Sequence, residues 1–166
     1  MDDLLLAHRT MMQGLVREAG EFRSGPVGVV DNKGNVLHFG TLPQYVPSLM
    51  EELIQWTENS PFPLLIKSCV FHYEFEVIHP FADGNGRIGR LWHTLLLSKW
   101  NPLFAWLPIE SIIHDHQTEY YAAINQSNAQ GEGTVFIEFM LGIIKEALNE
   151  AINEQPVAQS KEEVRW

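Results

Sequence analysis

Within twelve residues, His79-Pro80-Phe81-Ala82-Asp83-Gly84-Asn85-Gly86-Arg87-Ile88-Gly89-Arg90, the chain gathers most of what phosphate chemistry needs. Gly84 and Gly86 carry no side chains where backbone must approach an anion, and a helix starting after them offers unpaired N–H groups and a positive dipole end. Arg87 and Arg90 stand three apart, so on a helix they share a face and can fork onto the oxygens of a polyphosphate. Asp83 is a hard oxygen ligand of the kind that holds Mg²⁺ together with substrate phosphates. Asn85 can donate to a phosphate or complete the loop's own turn. His79 can take a proton from an attacking hydroxyl, since imidazole titrates near neutral pH. The set holds a base, a metal ligand and an anion clamp, and no obvious protein nucleophile.

Other readings of the same residues fail on context. Gly84, Gly86 and Gly89 match the G-x-G-x-x-G of dinucleotide-binding folds, but that pattern needs a preceding strand and several βαβ units. A P-loop needs Lys followed by Ser or Thr, where Arg90-Leu91 stands. A zinc hydrolase would draw on His72, His79, Asp83, His114 or His116. His114 and His116, two apart, face different ways on a helix and give no convergent ligand triad.

The elements that must position this loop are mostly helical. Apolar residues at Leu4, Leu5, Ala7, Met11, Leu15 and Val16 predict an opening helix over 3–18. Val27, Val29 and Val30, then Val36, Leu37 and Phe39, flank the turn-rich Asp31-Asn32-Lys33-Gly34-Asn35 and predict a hairpin. A helical stripe follows Pro47 and ends near Asn59. The span from Pro63 to Ile78 alternates partly like a strand, but its length favours a central helix, apolar all round. Ile88, Leu91, Trp92, Leu95 and Leu96 predict a helix ending at Asn101-Pro102, and further helices fit 109–128 and 133–152. One domain over 1–154 and a polar, frayed tail over 155–166 is the expected organisation.

Composition agrees. A chain of 166 residues, 45% hydrophobic and 19% charged, can hold a full core. A net charge of −10 with no basic block argues against nucleic acid as a general partner. No apolar run reaches the roughly 20 residues of a membrane span, and Met1-Asp2-Asp3 lacks the positive charge of a signal peptide, so a soluble, cytoplasmic protein is expected. The lone Cys69 sits among Leu65, Ile66, Val70 and Phe71 and reads as a buried structural thiol.

His79 to Arg90 resembles the signature of the Fic family, HxFx[D/E]GNGRxxR, at every defined position. Gly20-Glu21-Phe22-Arg23 before the hairpin, and the stretch from Glu119-Tyr120-Tyr121 through Phe136–Phe139, are similar to flanking parts of that family, so the likeness covers most of residues 4–150. The resemblance implies a Fic fold, a helical bundle with a small β-hairpin flap beside the active site. It implies a protein adenylyltransferase that moves AMP from ATP to a Ser, Thr or Tyr hydroxyl of a target protein and releases pyrophosphate. His79 would be the general base and Asp83 the Mg²⁺ ligand. Gly84, Asn85 and Gly86 would form the anion hole, Arg87 would hold the departing phosphates, and Arg90 would reach the γ-phosphate. Tyr121 and Asn128 would line the nucleoside pocket, Phe81 would anchor the loop, and the hairpin over 27–39 would receive the target as an added strand.

Many members of that family carry an inhibitory helix with the pattern [S/T]xxxE[G/N], which this chain lacks. The resemblance therefore leaves open no brake, a brake from an inhibitory partner, or an inhibitory helix upstream. It also leaves open a γ-phosphate transferase of the Doc type, a de-AMPylating hydrolase, a non-catalytic nucleotide-binding module, and a homo-oligomer.

Overall fold

The computed structural model describes residues 1–30 and 36–153. Asp31–Asn35, the expected hairpin turn, and residues 154–166, which include the expected tail over 155–166, lie outside the described residues. Seven α-helices are seen: α1 (Asp2–Met12), α2 (Val46–Asn59), α3 (Leu64–Ile78), α4 (Asn85–Trp100), α5 (Ile109–Asp115), α6 (Gln117–Gln130) and α7 (Thr134–Asn153). Two short strands, β1 (Gly28–Val30) and β2 (Val36–Phe39), pair antiparallel with Gly28 opposite Phe39 and an irregularity between Val29 and Val30. No helix among the described residues is long and apolar enough to cross a membrane.

α3 is the axis of the molecule. On one side Phe71, Phe75 and Ile78 join Leu4, Val46, Met50, Phe81 and Ile88 in a core shared by α1, α2, α3 and α4. On the other side Cys69 and Tyr73 join Ile112, Tyr120, Phe136 and Met140 in a core built with α5, α6 and α7. A helix covered on both flanks must be apolar all round, which is why its sequence shows no single stripe and imitates a strand in part. Burial pushes the Cys69 thiol up to about 12, so it packs as an apolar group.

The structure corrects two expected spans. The opening helix stops at Met12, because the chain turns at Gly14 with φ +82°, a left-handed conformation that L side chains avoid. The expected helix over 109–128 is two helices, broken at His116 with φ −100° and ψ 30°. That break lets α6 start at Gln117, beside the glycine-rich loop.

Candidate active site

The loop 79–84 joins α3 to α4, and each end is set by a left-handed residue. His79 caps α3 with φ 53° and ψ 62°, the one non-glycine residue with positive φ among those described. Gly84 caps α4 with φ +84°, so the backbone demands glycine, and a Cβ there would also push on Met12 Sδ at 2.8 Å. α4 then begins with Asn85, Gly86 and Arg87, whose N–H groups have no preceding helical carbonyl to bond. The cradle expected from the sequence thus has a physical basis in the first turn of α4.

Asn85 settles into one of its two expected roles. Its side chain is 2% exposed, accepts from Phe81 N–H at 2.8 Å and donates to the Phe81 carbonyl at 2.8 Å. The amide therefore closes the loop, and only its backbone remains for an anion. Phe81, fully buried, pins the same loop into the α1–α4 core.

Two residues that sequence reasoning did not place in the site hold this loop from outside. His8 stacks flat on Phe81, with ring centroids 3.7 Å apart and planes 4° apart. Gly20 N–H donates to His8 Nδ1 at 2.9 Å, so Nε2 carries the proton and donates to the Asp83 carbonyl, also at 2.9 Å. Its signal was a histidine midway between Leu4 and Met12 on the buried face of a helix. Arg23, 3% exposed, donates Nε to the His79 carbonyl at 2.7 Å and Nη1 to the Gly25 carbonyl at 2.8 Å, and Nη2 reaches the carbonyls of Thr41 and Ile78. One guanidinium thus ties the roots of the hairpin to the end of α3. Spending its donors on carbonyls satisfies the last turn of α3, which a positive charge also stabilises.

These elements enclose a cleft of about 420 Å³ lined by His79, Asp83, Gly84, Asn85, Gly86, Arg87 and Arg90, by Gly28 of β1 and by Tyr121 of α6. All the expected residues except one meet there. The exception is Asn128, whose Oδ1 accepts from Tyr73 OH at 2.9 Å, and Asn125 of the same helix lines the cleft. Tyr121 and Asn128 share a helical face, with about 10 Å of rise along the axis between them.

His79 Nδ1 lies 3.4 Å from the Glu76 carbonyl. A carbonyl only accepts, so Nδ1 holds the proton of the neutral ring and Nε2 is the basic nitrogen. Arg90 packs its Nη1 where a Cβ on Gly86 would stand, 2.9 Å away, while its Nε pairs with Glu110 at 2.9 Å. Arg87 Nη2 stands 3.7 Å from Asp83 Oδ1, and the Asp83 side chain is 66% exposed at the lip of the cleft. Among the described residues no group of three or more His, Cys, Asp or Glu side chains is placed to hold a metal. A single exposed carboxylate beside an anion cradle still suits Mg²⁺, which keeps waters and takes its other ligands from substrate phosphates.

Behind the cleft lies a buried polar cluster. His72 Nε2 is 3.0 Å from Tyr120 OH, and His93 meets His72 edge to face. Burial holds His72 well below the ordinary histidine range and lowers His93 to about 4. Burial also lowers His8, and it raises Glu74 and Glu76, the latter to about 7. The signs oppose. Stability from the three depressed histidines is present above about pH 6.5 and is lost as pH falls through their folded values. Stability from the two raised carboxyls is present below about pH 4.5 and is lost as pH rises, through about 7 for Glu76. Between about pH 4.5 and 6.5 the histidines therefore make urea-unfolding stability climb with pH and the carboxyls make it fall. His93→Phe should flatten that climb by about one proton, and an unchanged slope would contradict a neutral buried His93.

With the geometry described, the class is plain. The profile of the Fic/DOC family matches residues 1–97, and the chain belongs to that family. Protein adenylyltransferase fic-1 of Caenorhabditis elegans is 30% identical over 147 residues, covering 84% of this chain. A probable protein adenylyltransferase of Aquifex aeolicus is 48% identical over 50 residues, 30% of this chain. The crystal structure of a Fic family protein from Desulfovibrio desulfuricans G20 superposes with a TM-score of 0.87 at 48% identity over 95% of this chain. The chain spans 26% of the nematode relative, 16% of the Aquifex protein and 49% of the Desulfovibrio chain.

Proposed function

We propose that this chain is a protein adenylyltransferase that moves AMP from ATP onto a Ser, Thr or Tyr hydroxyl of another protein. The observation that carries the reading is the meeting of a histidine whose basic nitrogen is Nε2 with the first turn of α4 and with Arg87 and Arg90 in one cleft. Relatives named as protein adenylyltransferases support it.

The acceptor hydroxyl gives its proton to His79 Nε2 as its oxygen attacks the α-phosphorus in line with the departing pyrophosphate. The amides of Asn85, Gly86 and Arg87 receive phosphate oxygens, and the guanidiniums of Arg87 and Arg90 neutralise the charge that gathers on the leaving group. Arg90 exchanges its contact with exposed Glu110 for phosphate, a small cost for a surface pair. Asp83 would hold Mg²⁺, which supplies further neutralisation of the polyphosphate when bound. Tyr121, which lines the cleft, would face the nucleoside.

The target would bind by strand addition to the hairpin. β1 and β2 form a two-stranded sheet, so each strand keeps one edge with no β partner among the described residues, and Gly28 lines the cleft. Main-chain pairing at such an edge accepts any extended segment and brings its hydroxyl toward His79.

The test uses ATP labelled on the α-phosphate and, separately, on the γ-phosphate, incubated with the purified chain and a lysate of its source cells. Protein should take up α-label and no γ-label. Uptake of γ-label alone would replace this reading with phosphoryl transfer, and release of label from an already modified protein would replace it with hydrolysis.

A further inference from the structure

Glu76 is an acidic residue in the most deeply packed helix of the protein, and the roles assigned above do not use it. It is 8% exposed, and its Oε1 has no hydrogen-bond partner. Its Oε2 lies 3.8 Å from His79 Nδ1, the nitrogen opposite the basic one, and Oε1 lies 4.0 Å from His72 Nε2. Room for it is specifically kept: a Cβ on Gly89 of α4 would meet Oε1 at 2.9 Å. A carboxylate in such a place is costly unless another charge repays it.

We infer that Glu76 is a positioning residue for His79, whose carboxylate orients the imidazole through its Nδ1 edge and stabilises the imidazolium formed during transfer. The inference rests on the reading of His79 as general base. In the step, the acceptor O–H bond breaks and its proton goes to Nε2. The oxygen bonds to the α-phosphorus, and the bond from that phosphorus to the β-bridging oxygen breaks, so that pyrophosphate leaves with the electron pair. Nδ1 keeps its proton throughout, and Glu76 takes none. A positive ring then stands 3.8 Å from the carboxylate, where a full charge pair in a dry site is worth far more than at a surface.

The groups facing Glu76 leave that role to it. His72, on the same helix, is held neutral by burial, and His93 of α4 behind it is neutral as well. Tyr120 of α6 is kept a neutral phenol by burial and by Glu76 itself. Arg90 of α4 is a cation whose field pulls the Glu76 carboxyl back from the full effect of burial. Arg23 approaches His79 from the other side, on its backbone carbonyl and not its ring. With the carboxyl raised to about 7, Glu76 is largely ionised by pH 8, and its charge is set by pH across the neutral range.

The experiment is a titration of the whole chain, labelled with ¹⁵N-histidine, in wild type and Glu76→Gln, followed by NMR. Glutamine keeps the shape and removes the charge. The His79 signal in E76Q should titrate at lower pH than in wild type, and a superimposable curve would overturn the inference. If E76Q does not fold, the wild-type curve alone decides, since the His79 signal must then show a second inflection as Glu76 ionises, and a single-site curve refutes the pairing. With the acceptor found by α-label uptake, E76Q should lower the transfer rate at pH 8 by roughly tenfold, move the acid limb of its pH profile, and leave the KM for ATP in place. A merely structural Glu76 would move neither the titration nor the limb. Retained transfer in His79→Ala would instead refute the base assignment, which the titration does not touch.

Discussion

His79→Ala is expected to lower AMP transfer by roughly 100- to 10,000-fold, the usual contribution of a positioned general base, while ATP binding stays as it is. The contacts proposed to hold phosphate come from the first turn of α4, Arg87 and Arg90, and His79 contributes none of them. The fold should also be indifferent. His79 lines the cleft, and alanine, though less suited than histidine to the left-handed φ of 53°, adds no bulk there. The measurement pairs α-label uptake with calorimetric titration of ATP. Full transfer by the variant would remove His79 from the chemistry, and lost ATP binding would make it a ligand and not a base.

Phe81→Ala should have the largest effect on stability, about 3–5 kcal/mol, as expected for deleting a fully buried aromatic ring. The ring touches more than apolar neighbours. It stacks on His8 and lies 5.7 Å from Phe22 and 6.2 Å from Phe75, between centroids. Its backbone N–H and carbonyl both bond Asn85. Emptying the site therefore loosens a loop whose position depends on that ring from two sides. Urea unfolding gives the stability loss. Transfer by the fraction still folded should fall as well, because misplacing a base by about 1 Å costs roughly 100-fold. A stable variant with normal transfer would show that Asn85 and His8 hold the loop without the ring.

Much of this was legible before any coordinates. The hairpin flanks, the helix after Pro47, the helix to Ile78 and the stop at Asn101-Pro102 each rest on local punctuation, which proline and turn residues enforce within a few positions. Phe81 as an anchor was implied by the family resemblance, and a helix beginning after Gly84 was readable from the glycines and the apolar stripe that follows them. One boundary was not. Gly14 was overridden by apolar residues beyond it, although a left-handed glycine ends a helix whatever follows. Asn128, which the resemblance implies at the nucleoside pocket, is seen bonded through its Oδ1 to Tyr73 OH.

His8, Arg23 and Glu76 were invisible in their roles for a deeper reason. Each acts on a partner far away in sequence or on the far side of a cap: His8 on Asp83, Arg23 on the end of α3, Glu76 on the back of an imidazole. No periodicity encodes the contacts of His8 and Arg23, which exist only after α1, α3 and α4 have packed, while the i,i+3 pair of Glu76 and His79 is set by the left-handed cap that His79 gives α3. The twelve residues from His79 to Arg90 determined by themselves which chemical groups the site would hold, because phosphate, metal and proton each demand particular side chains at close spacing. The tertiary structure decided that Asn85 closes the loop on Phe81, that His8 and Arg23 hold it from outside, and that a buried carboxylate stands 3.8 Å from His79 Nδ1. Those depend on distances and burial, and local sequence specifies neither.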